Sequence, residues 1–71
     1  MIKWAHGCLT VDKGEDDSAW GWEQFAGLDA KIQAGQKWQF TVSNLGIDGW
    51  EMVSVMNYAD VIQYWFKRPI I

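Results

Sequence analysis

Hydrophobic and polar positions alternate most cleanly over residues 50–57 and again over residues 61–68, with a short polar break between the two runs. Period-two alternation predicts strands, and so short a break predicts an antiparallel hairpin turning at Tyr58-Ala59 or across residues 57–60. Pro69 lacks a backbone donor and closes the second strand. Pairing Met56 with Val61 sets a register with two distinct faces. One face carries Val53, Val55, Ile62, Tyr64 and Phe66, a dry surface for a helix to cover. The other carries Trp50, Met52, Met56, Val61 and Trp65 around Ser54 and Gln63, with Lys67 beside Trp50. A patch of that size marks an interaction surface. It asks for cover from the Trp20/Trp22 segment, from another subunit or from a ligand.

Upstream, Ile32, Gly35, Trp38, Val42 and Leu45 recur three or four residues apart, which predicts a helix over residues 30–45. Asp29 stands where an N-cap would, and Gly46 where a left-handed residue would end the helix. Phe40 falls off the stripe. A rival reading makes Trp38, Phe40 and Val42 a strand, since short apolar runs fit either period. Residues 2–11 alternate as a first strand, in which Gly7 suggests a bulge. Residues 12–18 are acidic and turn-forming, without the ligand spacing of a calcium loop. In residues 19–25, Trp20 and Trp22 would share a strand face while Gly21 and Gly27 weaken a helix, so strand or ordered loop is preferred.

The result is one small α+β domain over residues 1–71. An antiparallel sheet of three or four strands (about 2–11, 19–25 as the optional one, 50–57 and 61–68) carries one helix, about 30–45, on one face.

Composition sharpens this picture. A chain of 71 residues buries only about 60% of its unfolded surface, so its core alone is marginal. Small domains compensate with disulfides, metals or oligomerisation. One Cys and one His exclude an internal disulfide and argue against a zinc site. Self-association remains, and six Trp exceed what one small core is expected to enclose. A net charge of −3 disfavours a nucleic-acid polymer as partner. With no apolar run of membrane-spanning or signal-peptide length, no membrane association and a cytoplasmic address are expected.

The run Leu45-Gly46-Ile47-Asp48-Gly49-Trp50-Glu51-Met52-Val53-Ser54-Val55, closed by Tyr64-Trp65-Phe66-Lys67-Arg68-Pro69, resembles a family of short uncharacterised bacterial and phage proteins. Its members typically read Leu-Gly-x-x-Gly-Trp-Glu-Leu-Val-Ser-Val and end aromatic-x-Phe-Lys-Arg-Pro. The resemblance covers about a third of the chain. It implies an N-terminal strand, a helix ending at Leu45-Gly46 and the same hairpin. It implies no activity, because the family is a domain of unknown function. Residues 18–35 are richer in Trp and Gly than the family pattern.

Candidate chemistry is sparse. His6 and Cys8 share a strand face and would form a thiolate–imidazole pair or two metal ligands, but no third group or orienting motif accompanies them. A small hydrophobic Cys beside a surface His is the plainer account. Lys67 and Arg68 beside three aromatics suggest stacking with phosphate contact, a scheme that suits a small anion better than a polymer. The expectation is therefore a non-enzymatic homo-oligomer with no cofactor, no metal and no catalytic residue. It binds a small molecule or partner protein at an interface of Trp50, Met52, Met56, Gln63 and Trp65 with Trp20 and Trp22. The alternatives are a monomeric, phage- or mobile-element-borne protein that blocks a host protein, and a small enzyme using His6.

Overall fold

Strands β1 (Lys3–Asp12) and β4 (Val61–Ile70) pair antiparallel over their full lengths, from Lys3 opposite Ile70 to Asp12 opposite Val61. This computed structural model describes residues 3–25 and 35–70. Strand β2 (Trp20–Gln24) flanks β1 and strand β3 (Glu51–Asn57) flanks β4. The order β2-β1-β4-β3 gives a four-stranded antiparallel sheet, and α1 (Trp38–Ile47) completes a small α+β fold. The strand reading of Trp38, Phe40 and Val42 is thereby excluded, and the segment around Trp20 and Trp22 resolves as a strand.

Successive strand residues point to opposite faces. On the inner face lie Ala5, Gly7, Leu9 and Val11, opposite Arg68, Phe66, Tyr64 and Ile62. Ala5, Leu9, Val11, Leu45, Trp50 and Phe66 form the buried core, with Trp20, Trp22, Trp38, Val42, Tyr64 and Ile70 packed against it. The helix contributes through Leu45, Val42 and Trp38, whose ring stacks on Tyr64 at 5.4 Å between centroids. Phe40 lies off this stripe, exposed.

Gly7 is no bulge, since the β1–β4 register runs through it unbroken. It is a cradle. A Cβ on Gly7 would lie 2.3 Å from the Trp22 ring, so only glycine lets that indole lie across β1. From there Trp22 meets Trp50 edge-on at 5.2 Å and Phe66 at 5.8 Å. Such aromatic contacts contribute about 0.5–1.5 kcal/mol each beyond the area they bury.

The helix begins later than residue 30. Gly35 has φ +88°, a left-handed conformation, and Lys37, in extended conformation, is the N-cap without a side-chain cap bond. The cap comes from elsewhere in the chain. The Trp38 N–H donates to the Asp17 carbonyl at 2.8 Å, and the Gln39 side-chain amide donates to Asp17 Oδ2 at 3.2 Å. An acidic loop is well placed at this positive end of the helix dipole. The expected Asp29 cap and the stripe residue Ile32 lie outside the described residues.

The helix also ends later than Gly46, whose φ is not positive; the left-handed residue is Gly49, at φ +94°. Gly49 N–H donates to the Gly46 carbonyl at 3.1 Å and Trp50 N–H to the Leu45 carbonyl at 2.9 Å. This pair of bonds is a Schellman motif, and Leu45 and Trp50, the residues it links, both belong to the buried core. The Leu-Gly-x-x-Gly-Trp run is therefore a helix stop that turns Trp50 inward.

Candidate functional site

Strand β3 carries a continuous exposed strip that includes apolar side chains. Every one of its residues is exposed, among them Met52, Val53, Val55 and Met56, and Tyr58 just beyond is exposed too. It is an edge strand, bonded to β4 on one side only. Its register shifts between Met52, opposite Phe66, and Ser54, opposite Trp65, so Val53 is the extra residue of a β-bulge. One extra residue reverses which side chains face which side of the sheet.

The bulge divides the expected patch. Met52 joins Phe66 on the inner face, while Ser54 and Met56 stay on the outer face with Trp65 and Gln63. Trp50, placed on the outer patch by the sequence, is buried in the inner core at 3% exposure. Trp20 and Trp22 are inner as well: the Trp20 indole N–H donates to the Gln36 carbonyl at 2.7 Å, and the Trp22 indole N–H reaches Gln24 Oε1 at 3.5 Å. They cover the core beside the helix, not the second face. The register itself also differs, with Met56 opposite Gln63 in place of Val61. A sequence signal for Trp50 did exist, since a Schellman stop ties the residue after its glycine to the helix side. Nothing in Met52-Val53-Ser54 announces the bulge.

What the structure does bring together is an outer face centred on Trp65, between Cys8 of β1 and Ser54 of β3. Phe25, half exposed and unremarked in the sequence, stacks on Trp65 at 5.6 Å. The Trp65 indole nitrogen is shielded from solvent and has no hydrogen-bond partner among the described residues. Gln63 sits beside it between Thr10 and Met56. Next along, the Lys67 ammonium lies 4.3 Å above the Trp4 ring and 3.9 Å from Glu51 Oε2. An ion pair this exposed contributes little, about 0–1 kcal/mol.

The two basic residues that suggested phosphate contact face opposite ways. Lys67 is outer, whereas Arg68 is inner and donates to Asp48 Oδ2 at 3.0 Å. His6 is exposed on the outer face, and the neighbouring Cys8 thiol is buried, its Sγ 3.8 Å from Thr10 Oγ1. Among the described residues, no three His, Cys, Asp or Glu side chains are grouped as a metal would require.

Because Gly21 stands opposite Thr10, a missing side chain leaves a hollow of about 220 Å³ lined by Thr10, Gly21, Trp22 and Glu23. Ordinary ligand sites enclose roughly 300–1,000 Å³, so this notch suits a fragment at most. A wider hollow beside Asp16, Asp17, Ser18, Gly35 and Lys37 opens at the helix N-terminus, with the carboxylates already bonded to Ser18 and Gln39. Among the described residues, no helix is long and apolar enough to cross a membrane. No protein-family model, curated protein or solved structure matches the chain.

Proposed function

We propose that this protein is a non-enzymatic interaction module that self-associates along its β3 side and receives a partner protein or small molecule on the adjoining outer face. The observation that carries the reading is β3, an edge strand exposed at all seven positions with four large apolar side chains. Edge strands of ordinary monomers are shortened, charged or covered. Here Glu51, the bulge and the Lys13 ammonium at the Asn57 end are the devices of that kind, and the apolar middle of the strand stays open. His6 is exposed while the neighbouring Cys8 thiol is buried against Thr10, and this difference in burial supports a non-catalytic role.

The experiment is native mass spectrometry of the protein purified from a cell extract, read for subunit number and retained mass. A dimer or higher oligomer is the expected outcome. A bare monomer would favour the second reading, in which the same open edge accepts a strand from a foreign protein. That reading accords with the resemblance to phage and bacterial proteins, which we retain as a proposal, as we do the cytoplasmic address.

A further inference from the structure

We infer that the partner on β3 is a second copy of the chain, joined by antiparallel strand pairing about a two-fold axis at Met56. This rests on the self-association reading and deepens it. The Tyr58 N–H donates to the Val61 carbonyl at 2.9 Å, which fixes the phase of the hairpin ladder. In an antiparallel ladder, bonded and non-bonded pairs alternate. Met56 opposite Gln63 and Ser54 opposite Trp65 are therefore bonded pairs. Val55 opposite Tyr64 and Asn57 opposite Ile62 are not, so the backbone N–H and C=O groups of Val55 and Asn57 point away from β4.

The bulge then selects the register. Centring the axis on Val55 would pair Val55 with its own copy and set Asn57 against Val53, the extra residue whose backbone is out of phase. Centring it on Met56 pairs Val55 with Asn57 of the second copy and Asn57 with its Val55. All outward groups of the regular segment are then satisfied, in four hydrogen bonds. Met56 meets Met56 at a non-bonded position, where side chains approach closest. Ser54 lies opposite Tyr58. Residues 54–58 contribute no charged side chain of their own to the pairing, because Glu51 and Asp60 fall outside it. The segment is also held in place: the Lys13 ammonium donates to Asn57 Oδ1 and the Tyr58 carbonyl. The product is a continuous eight-stranded sheet with an isologous interface.

The test is sedimentation equilibrium of the full chain together with oxidative cross-linking. Val55→Pro removes only an outward N–H, which an edge strand tolerates. It removes two of the four bonds and is expected to weaken the dimer by roughly tenfold or more. Independently of how that variant folds, Met56→Cys is expected to oxidise to a covalent dimer faster than Val55→Cys, with the wild type and its buried Cys8 as control. A wild-type dimer indifferent to Val55→Pro, or one cross-linked faster through Val55→Cys, overturns the pairing and leaves self-association standing. A wild type that stays monomeric overturns both.

Discussion

Arg68 lies along Gly49, its Nε 3.4 Å from where a Cβ on that glycine would stand, while its Nη1 bonds Asp48 Oδ2 at 3.0 Å. The last strand thus clasps the helix stop, and the two ends of the Leu-Gly-x-x-Gly-Trp and Phe-Lys-Arg runs form one structural lock. A methyl on Gly49 meets Arg68 at an ordinary contact distance, so the cost of replacing it comes from its φ of +94°. Gly49→Ala is expected to lose about 1–2 kcal/mol, and Gly49→Asn less because Asn tolerates the left-handed region. Urea midpoints give the order; equal midpoints for all three would contradict it.

Gly7→Ala tests the cradle under Trp22. Its Cβ would lie 2.3 Å from the indole, and the ring would have to leave its place between Trp50 and Phe66. Overpacking of this kind costs about 1–3 kcal/mol. The same variant should alter the near-UV circular dichroism of the Trp22–Trp50 pair, and an unchanged spectrum would count against the arrangement.

The hairpin was legible because its alternation is strong, and of the helix stripe Trp38, Val42 and Leu45 were legible, while Gly35 stands in the turn before the helix. The first strand was legible too, but the role of Gly7 was not, since a glycine chosen for space resembles one chosen for a turn. The helix start was hidden for a different reason: its first N–H is capped by the Asp17 carbonyl, a tertiary contact that leaves no local signature. The apolar patch that alternation alone puts on one face is split in the fold, because the bulge at Val53 reverses the facing of Trp50 and Met52 relative to Met56. Phe25, the partner of Trp65, lay beyond any clear pattern.

Thr41 is 1% exposed on the helix, and its hydroxyl has no hydrogen-bond partner among the described residues. Thr41→Val keeps the shape, removes the buried hydroxyl and leaves helix propensity nearly unchanged. A gain of about 1 kcal/mol is expected, read as a higher thermal midpoint. A loss of stability would mean that the hydroxyl is in fact bonded.

Asp16 accepts hydrogen bonds from the Ser18 hydroxyl and the Ser18 N–H, which together hold its carboxyl below the ordinary value of 3.8. A lowered folded value means that the contribution to stability is full above 3.8 and is lost as pH falls through the folded value. Carboxyl-carbon NMR should show the Asp16 midpoint below 3.8 in the wild type and nearer to it in Ser18→Ala. A wild-type midpoint at or above 3.8 would contradict the bonding.

Trp65 anchors the outer face, and Trp65→Ala should remove the Phe25 stack and the cover over Cys8. Faster reaction of Cys8 with a thiol reagent is the expected result. Unchanged reactivity would show that the thiol is shielded by something other than Trp65.

The central claim is self-association along β3, and sedimentation velocity of the wild type from about 10 μM to about 1 mM tests it most directly. The account predicts a sedimentation coefficient that climbs with concentration from the monomer toward the dimer. A single monomeric coefficient across the whole range would contradict it.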